Sequence, residues 1–192
     1  MNNTFVLVHA RNVTGLGASL VVDSIINSLE NNKKKLVLVY SLPKYFFSFS
    51  GNKITIKFNL ISHLLPNSLF RFIECLFPRV FYPVFKNNIV LGDIPLRGLK
   101  NQLLFVHQQN LIIPKYNSSS SNKLKFVIMR TLFTWNIKHV KQIFVQSDIM
   151  ANDLIKSYNI PREIVNVLLH PHPSPSYIKR LPFRKKNIKV DK

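Results

Sequence analysis

The sequence predicts a three-layer α/β domain built on a mostly parallel sheet. Three observations lead there: short apolar runs that end in polar turns, amphipathic segments between them, and alternation of the two along the chain. Strands covered on both faces read as continuous apolar runs. FVLVH at 5–9, KLVLVY at 35–40 and LLFVH at 103–107 have that character.

The first run is followed by RNVTGLG and then by Val21, Val22, Ile25, Ile26 and Leu29. Their i, i+4, i+8 spacing puts them on one face of a helix. Asn31 and Asn32 close it before the second strand, giving a βαβ unit with a right-handed crossover. Further strands are expected at 54–58, 89–91, 103–107, 142–146 and 164–169. Helices are expected over 67–75 and 123–140, and in the segment carrying Ile149, Met150, Leu154 and Ile155. Ser147 can cap that last helix, and Asn159-Ile160-Pro161 ends it. Pro78 and Pro83 interrupt any continuation of the helix at 67–75. Residues 1–173 therefore read as one domain, and 174–192 as a basic linker or tail, with seven basic residues and one acidic in its last fourteen.

A chain of 192 residues can bury a full core. Its single cysteine, Cys75, excludes an intramolecular disulfide framework and a cysteine-based zinc site, and fits a reducing compartment. The N-terminal segment lacks the basic start and long apolar run of a signal peptide, and no apolar stretch reaches about 18 residues. The expectation is a cytoplasmic protein, peripheral at the inner face of the plasma membrane. Lys and Arg number 27 against 8 Asp and Glu, a formal charge of +19. That excess attracts nucleic acid, acidic lipid headgroups or phosphorylated substrates, although passive accumulation of lysine also produces it. The cations are mostly scattered lysines without a nucleic-acid reading motif, so nucleic acid is not the expected partner. Residues 45–85 are aromatic and basic. They read either as a core helix packed on the sheet or as an interfacial surface that dips Phe and Leu into a membrane.

Parallel α/β sheets bind ligands at the carboxyl ends of their strands, which selects the polar residues that matter. Thr14, Gly15 and Gly17 lie between the first strand and its helix, where a backbone can approach a phosphate. The motif stops at GxG, without a third glycine, an acidic residue closing the second strand, or a P-loop lysine. Tight βα packing explains the glycines equally. His107, followed by Gln108, Gln109 and Asn110, can donate to a sugar hydroxyl or phosphate or act as a base, or can be an ordinary polar strand end. Asp93 and Arg97 in GDIPLR mark another strand end, where Asp93 can accept from a hydroxyl or cap the chain. His9 follows the first strand and can point into the turn. His170 and His172 lack the further ligands a metal needs. Cys75 reads as a small core residue. No GxSxG elbow is present, which disfavours a serine hydrolase.

The Gly15/Gly17 turn, LLFVHQQN at 103–110 and KQIFVQSDIMANDLIKSYNIPREIVNVLLHP at 141–171, in that order, resemble the N-terminal half of GT-B glycosyltransferases. The likeness is to the family 4 enzymes of bacterial surface polysaccharide biosynthesis and runs over about residues 4–173. It implies a Rossmann-like domain that holds a glycan or lipid-linked acceptor, such as O-antigen or capsule, while a sugar arrives from a nucleotide-sugar. The nucleotide-sugar is a substrate, and no cofactor or metal is implied. Gly15 and Gly17 would face the donor phosphates and His107 would lie beside the reacting sugar. Thr14 joins that turn by position, and Asp93, Arg97, Gln108 and Ser147 are acceptor-binding candidates from their places at strand ends. In the family a donor-binding domain follows the linker, whereas this sequence ends at Lys192. The expectation is a truncated or split product served by a donor-domain partner chain, with an anionic membrane as a further partner. Two other readings are a small nucleotide-binding module and a basic nucleic-acid-binding protein.

Overall fold

A computed structural model describes residues 5–10, 35–40, 53–56, 67–82, 85–113 and 120–168, together with helical positions 21, 22, 24–26, 28 and 29. The apolar runs form strands β1 (Phe5–Ala10), β2 (Lys35–Tyr40), β3 (Lys53–Ile56), β4 (Asn87–Val90), β5 (Gln102–Phe105), β6 (Val140–Val145) and β7 (Val165–Val167). Among the described residues they make one sheet in the order β3-β2-β1-β4-β5-β6-β7. Every neighbouring pair is parallel. The expected strand at 54–58 thus covers 53–56, and the expected ones at 142–146 and 164–169 cover 140–145 and 165–167.

Side chains alternate across a strand, and here the alternation feeds two separate cores. Val6, Val8, Ala10, Ile89, Leu91 and Phe105 pack on one face with Val21, Val22 and Ile26 of α1, the helix at 21–29. Leu7, Val90, Leu104, Val106, Ile143 and Val145 point to the other face. That second core is closed by α2 (Asn67–Leu76), α4 (Gln109–Ile112), α5 (Ser120–Asn136) and α6 (Asp148–Tyr158), with the short α3 (Pro78–Phe81) after α2. Helices on both faces of an all-parallel sheet are the three-layer, Rossmann-like α/β class that the alternation predicts.

The helix expected over 123–140 begins earlier, at Ser120, and ends earlier, while α2 ends before Pro78 as expected. α5 stops at Asn136, and Ile137–His139 form one 3-10 turn before β6, in place of a helix running to residue 140. The Asn136 amide donates to the carbonyls of Pro95 (2.8 Å) and Cys75 (3.3 Å), so its side chain pins the end of α5 to two neighbouring segments. Ile137 and Val140 keep an apolar spacing, which is why periodicity alone extends the helix through them. α2 ends at Leu76, and Pro78 starts α3, a position where the missing N–H costs nothing.

The β4–β5 connection has no helix. Ile94, Leu96 and Leu99 are buried and cover the sheet in its place. Gln102, at the amino end of β5, holds that segment: its amide donates to Leu96 O (2.7 Å) and Leu99 O (2.6 Å) and accepts from Leu96 N (2.8 Å). Asn88 donates to Lys100 O at 2.8 Å. These bonds carry the chain from the carboxyl edge of the sheet to the amino edge.

Candidate functional site

Because all strands are parallel, their polar ends emerge on one edge. After β4 the chain turns sharply at Leu91-Gly92-Asp93, and Asp93 adopts a left-handed conformation with φ 64°. Asp and Asn tolerate this region better than other non-glycine residues. The turn delivers the Asp93 carboxylate to the end of β5, where Oδ1 accepts from His107 N (2.6 Å) and Gln108 N (3.1 Å). Burial raises the Asp93 pKa above the ordinary carboxylate value, although those two backbone donors and the nearby His107 pull the other way.

His107 is half-buried, its ring stacked near Phe105 at 6.4 Å between centroids, and Phe105 in turn stacks on Phe144 at 4.9 Å. Gln146, just past β6, places its amide nitrogen 2.7 Å from His107 Nδ1. With an N–H facing it, Nδ1 is the acceptor, and neutral His107 carries its proton on Nε2. In this tautomer the N–H sits on Nε2, which is buried. Asp93, His107, Gln108, Gln109 and Asn110 line an open cavity of about 450 Å³. A carboxylate, an imidazole and amide groups in one solvent-facing hollow can both accept from and donate to a polyhydroxylated ligand.

Of the candidates read from the sequence, Asp93, His107 and Gln108 come together here. Ser147 serves as the N-cap of α6, its hydroxyl accepting from Met150 N at 3.2 Å. Arg97 is exposed on the segment that runs to the amino edge, where its N–H donates to Cys75 O at 2.9 Å, and it is not among the residues lining the cavity. Thr14, Gly15 and Gly17 lie outside the described residues, as do His170 and His172.

The strand order reverses between β1 and β4, the switch point where doubly wound sheets open a crevice. A buried ionic cluster sits at the carboxyl end of β1. His9 Nε2 lies 3.0 Å from Glu74 Oε1 and 3.2 Å from Arg71 Nη1, while Arg71 Nη1 donates to Glu74 Oε2 at 2.8 Å. The Tyr82 hydroxyl donates to Glu74 Oε1, and the His9 and Tyr82 rings meet edge to face at 5.7 Å. His9 and Glu74 are fully buried and Arg71 nearly so. Burial alone would raise the Glu74 pKa. The charges of His9 and Arg71, with hydrogen bonds from His9 and Tyr82, reverse this and hold it well below the usual carboxylate range. Burial likewise opposes the Arg71 charge, but Cys75, Glu74 and Tyr82 raise its pKa further above its already high value. Burial pushes the Cys75 thiol up to about 11, so it stays protonated and inert in the core.

His9 therefore does not turn outward into a loop, as its position at a strand end allowed, but anchors this cluster. Arg71 and Glu74 escaped the sequence reading as a pair. One signal was available: Glu74 is the sole acid between residues 31 and 92 and stands three residues after Arg71, on the helix face shared with buried Phe70 and Cys75. Gly92 completes the arrangement. A Cβ there would fall 2.6 Å from Arg71 Nη2, which donates to Gly92 O at 3.3 Å. Gly92→Ala is accordingly expected to cost about 1–3 kcal/mol by forcing a buried guanidinium out of place. A urea titration checks this, and an unchanged midpoint would show that Arg71 has room to move.

Comparison with known protein families and with curated proteins found no match for this chain.

Proposed function

We propose that the domain binds the acceptor in a glycosyl transfer, holding a lipid-linked or other glycan at the carboxyl edge of β4–β6 while a sugar is moved to it from a nucleotide-sugar. One observation carries this reading: the open hollow in which Asp93, His107 and Gln108 converge. Glycan recognition needs paired donors and acceptors at a solvent-facing site, and the lining of this hollow combines a carboxylate, an imidazole and side-chain amides. In the proposed role Asp93 accepts from an acceptor hydroxyl and His107 lies beside the reacting sugar. The groups that stabilise the leaving nucleoside diphosphate belong, on this reading, to a donor-binding domain working with this one at the cytoplasmic face of an anionic membrane. No metal or organic cofactor enters the scheme.

The strand order favours one second reading, a small nucleotide-binding module, because this order hosts dinucleotides at its switch point. Against it, the described residues fill the β1 side of that point with the His9–Glu74–Arg71 cluster. Calorimetric titration with oligosaccharide acceptors and, separately, with nucleotide-sugars decides between them. The acceptor reading expects saturable glycan binding that His107→Ala weakens at least about tenfold, with only weak nucleotide-sugar binding. Tight nucleotide-sugar binding without glycan binding would favour the module.

A further inference from the structure

α5 is apolar on two sides. Phe126, Leu132 and Phe133 are buried against the core, yet Leu124 (69% exposed), Val127 (56%), Ile128 (40%) and Trp135 (54%) face solvent. At about 100° per residue, Leu124, Ile128 and Trp135 fall within about 40° of one another, so they form a stripe. A helix apolar all round is normally covered all round. α5 contains no acidic residue, and exposed Lys125 borders the stripe.

The carboxyl end of α5 adds further cations. Cys75 O accepts from both Asn136 Nδ2 (3.3 Å) and Arg97 N (2.9 Å), so the end of α5, the end of α2 and Arg97 meet at one oxygen. Exposed Phe77 directly follows α2 and exposed Val80 lies within α3, with Arg79 between them bonded to Gly98 O. Lys138 and Lys100 are exposed beside this point.

We propose that the outward face of α5 docks on an anionic lipid bilayer, the helix lying in the headgroup plane with its apolar stripe dipped and its cations at lipid phosphates. Charge selects this occupant. A second copy of a +19 chain would bring like charges together at the rim of the patch. Nucleic acid would match the cations but leave Leu124, Val127 and Ile128 without apolar partners. Among the described residues no helix is long and apolar enough to cross a membrane, so the geometry is interfacial. Arg130 ties α5 to the carbonyls of Asn110 (2.8 Å) and Leu111 (3.2 Å), and Asn110 lines the Asp93–His107 hollow. Docking would hold that hollow beside the headgroups. Only this consequence rests on the acceptor reading.

Trp135 is the sole tryptophan of the chain, so its fluorescence reports this surface alone. The full chain is titrated with vesicles of phosphatidylcholine, with or without phosphatidylglycerol. Anionic vesicles are expected to blue-shift Trp135 emission, shield it from acrylamide and bind at least about tenfold more strongly than neutral ones, less so as salt rises. The double variant Leu124→Glu/Ile128→Glu should weaken binding at least about tenfold. Asn152→Glu/Ser157→Glu, the same charge change at exposed sites on α6, should leave most of it. Circular dichroism confirms that each chain is folded. The proposal fails if the folded chain ignores anionic vesicles, binds them with unchanged Trp135 emission, or is weakened equally by both variants. It also fails if RNA perturbs Trp135 at lower concentration than vesicles do. The vesicles carry no glycan, so none of these outcomes bears on acceptor binding.

Discussion

Replacing Glu74 with glutamine is expected to destabilise the fold by about 3–5 kcal/mol, a large share of the roughly 5–15 kcal/mol that a domain has. The change leaves Arg71 buried beside a neutral amide in place of a carboxylate 2.8 Å away. It also removes the charged acceptor shared by His9 and Tyr82. A double variant, Arg71→Met with Glu74→Gln, should recover part of the loss because it deletes the stranded charge together with its partner. The pH dependence has a defined sign. A carboxyl group whose folded-state pKa is depressed contributes fully above its ordinary value of 4.5 and loses that contribution as pH falls toward the folded value. The difference in stability between the parent chain and Glu74→Gln should thus be constant near neutrality and shrink below about pH 4.5. Denaturant titrations of both chains across pH read it directly. A difference that stays small at pH 7 would mean that the cluster is no more than a well-tolerated accessory.

The second large effect is expected at Asp93. Asp93→Ala removes the acceptor for two backbone N–H groups and places a Cβ-bearing residue without a local hydrogen bond at φ 64°. Together these should cost about 2–4 kcal/mol. Asp93→Asn keeps an oxygen for both N–H groups and tolerates the same backbone, so its thermal midpoint should stay near that of the parent. The raised pKa gives the pH behaviour: its stabilising contribution is complete below the ordinary value of 3.8 and is lost as pH rises through the folded value. The asparagine variant should therefore gain on the parent chain as pH rises through that value. If Asp93 also accepts from a glycan hydroxyl, Asp93→Asn weakens glycan binding while leaving stability intact, which separates the residue's two roles.

The fold was legible because its signals are local. Phe5–Ala10 is an apolar run of the kind a doubly covered strand shows, and Ser147 with Asn159 punctuates α6 at both ends through capping chemistry. Strand order was not legible, since which strands pair depends on contacts far apart in the chain. The end of α5 was misjudged because Ile137 and Val140 continue an apolar spacing that Asn136 interrupts only through tertiary hydrogen bonds. At the site, Asp93, His107 and Gln108 could be nominated because strand ends in parallel sheets are predictable places. Gln146, which fixes the His107 tautomer, could not, because nothing in QIFVQS distinguishes that amide from any other. The His9–Glu74 pair spans 65 positions, and no local pattern links residues so distant.

The measurement that bears most directly on the acceptor-binding role is nitrogen-15 NMR of the His107 imidazole during separate titrations with a glycan acceptor and with a nucleotide-sugar. Before any ligand, Nε2 should give the protonated, pyrrole-type shift and Nδ1 the pyridine-type shift, as the Gln146 contact requires. The glycan should then move the His107 and Gln146 signals saturably, while the nucleotide-sugar leaves them in place. His107 signals that follow the nucleotide-sugar and ignore every glycan would contradict an acceptor site on this edge of the sheet.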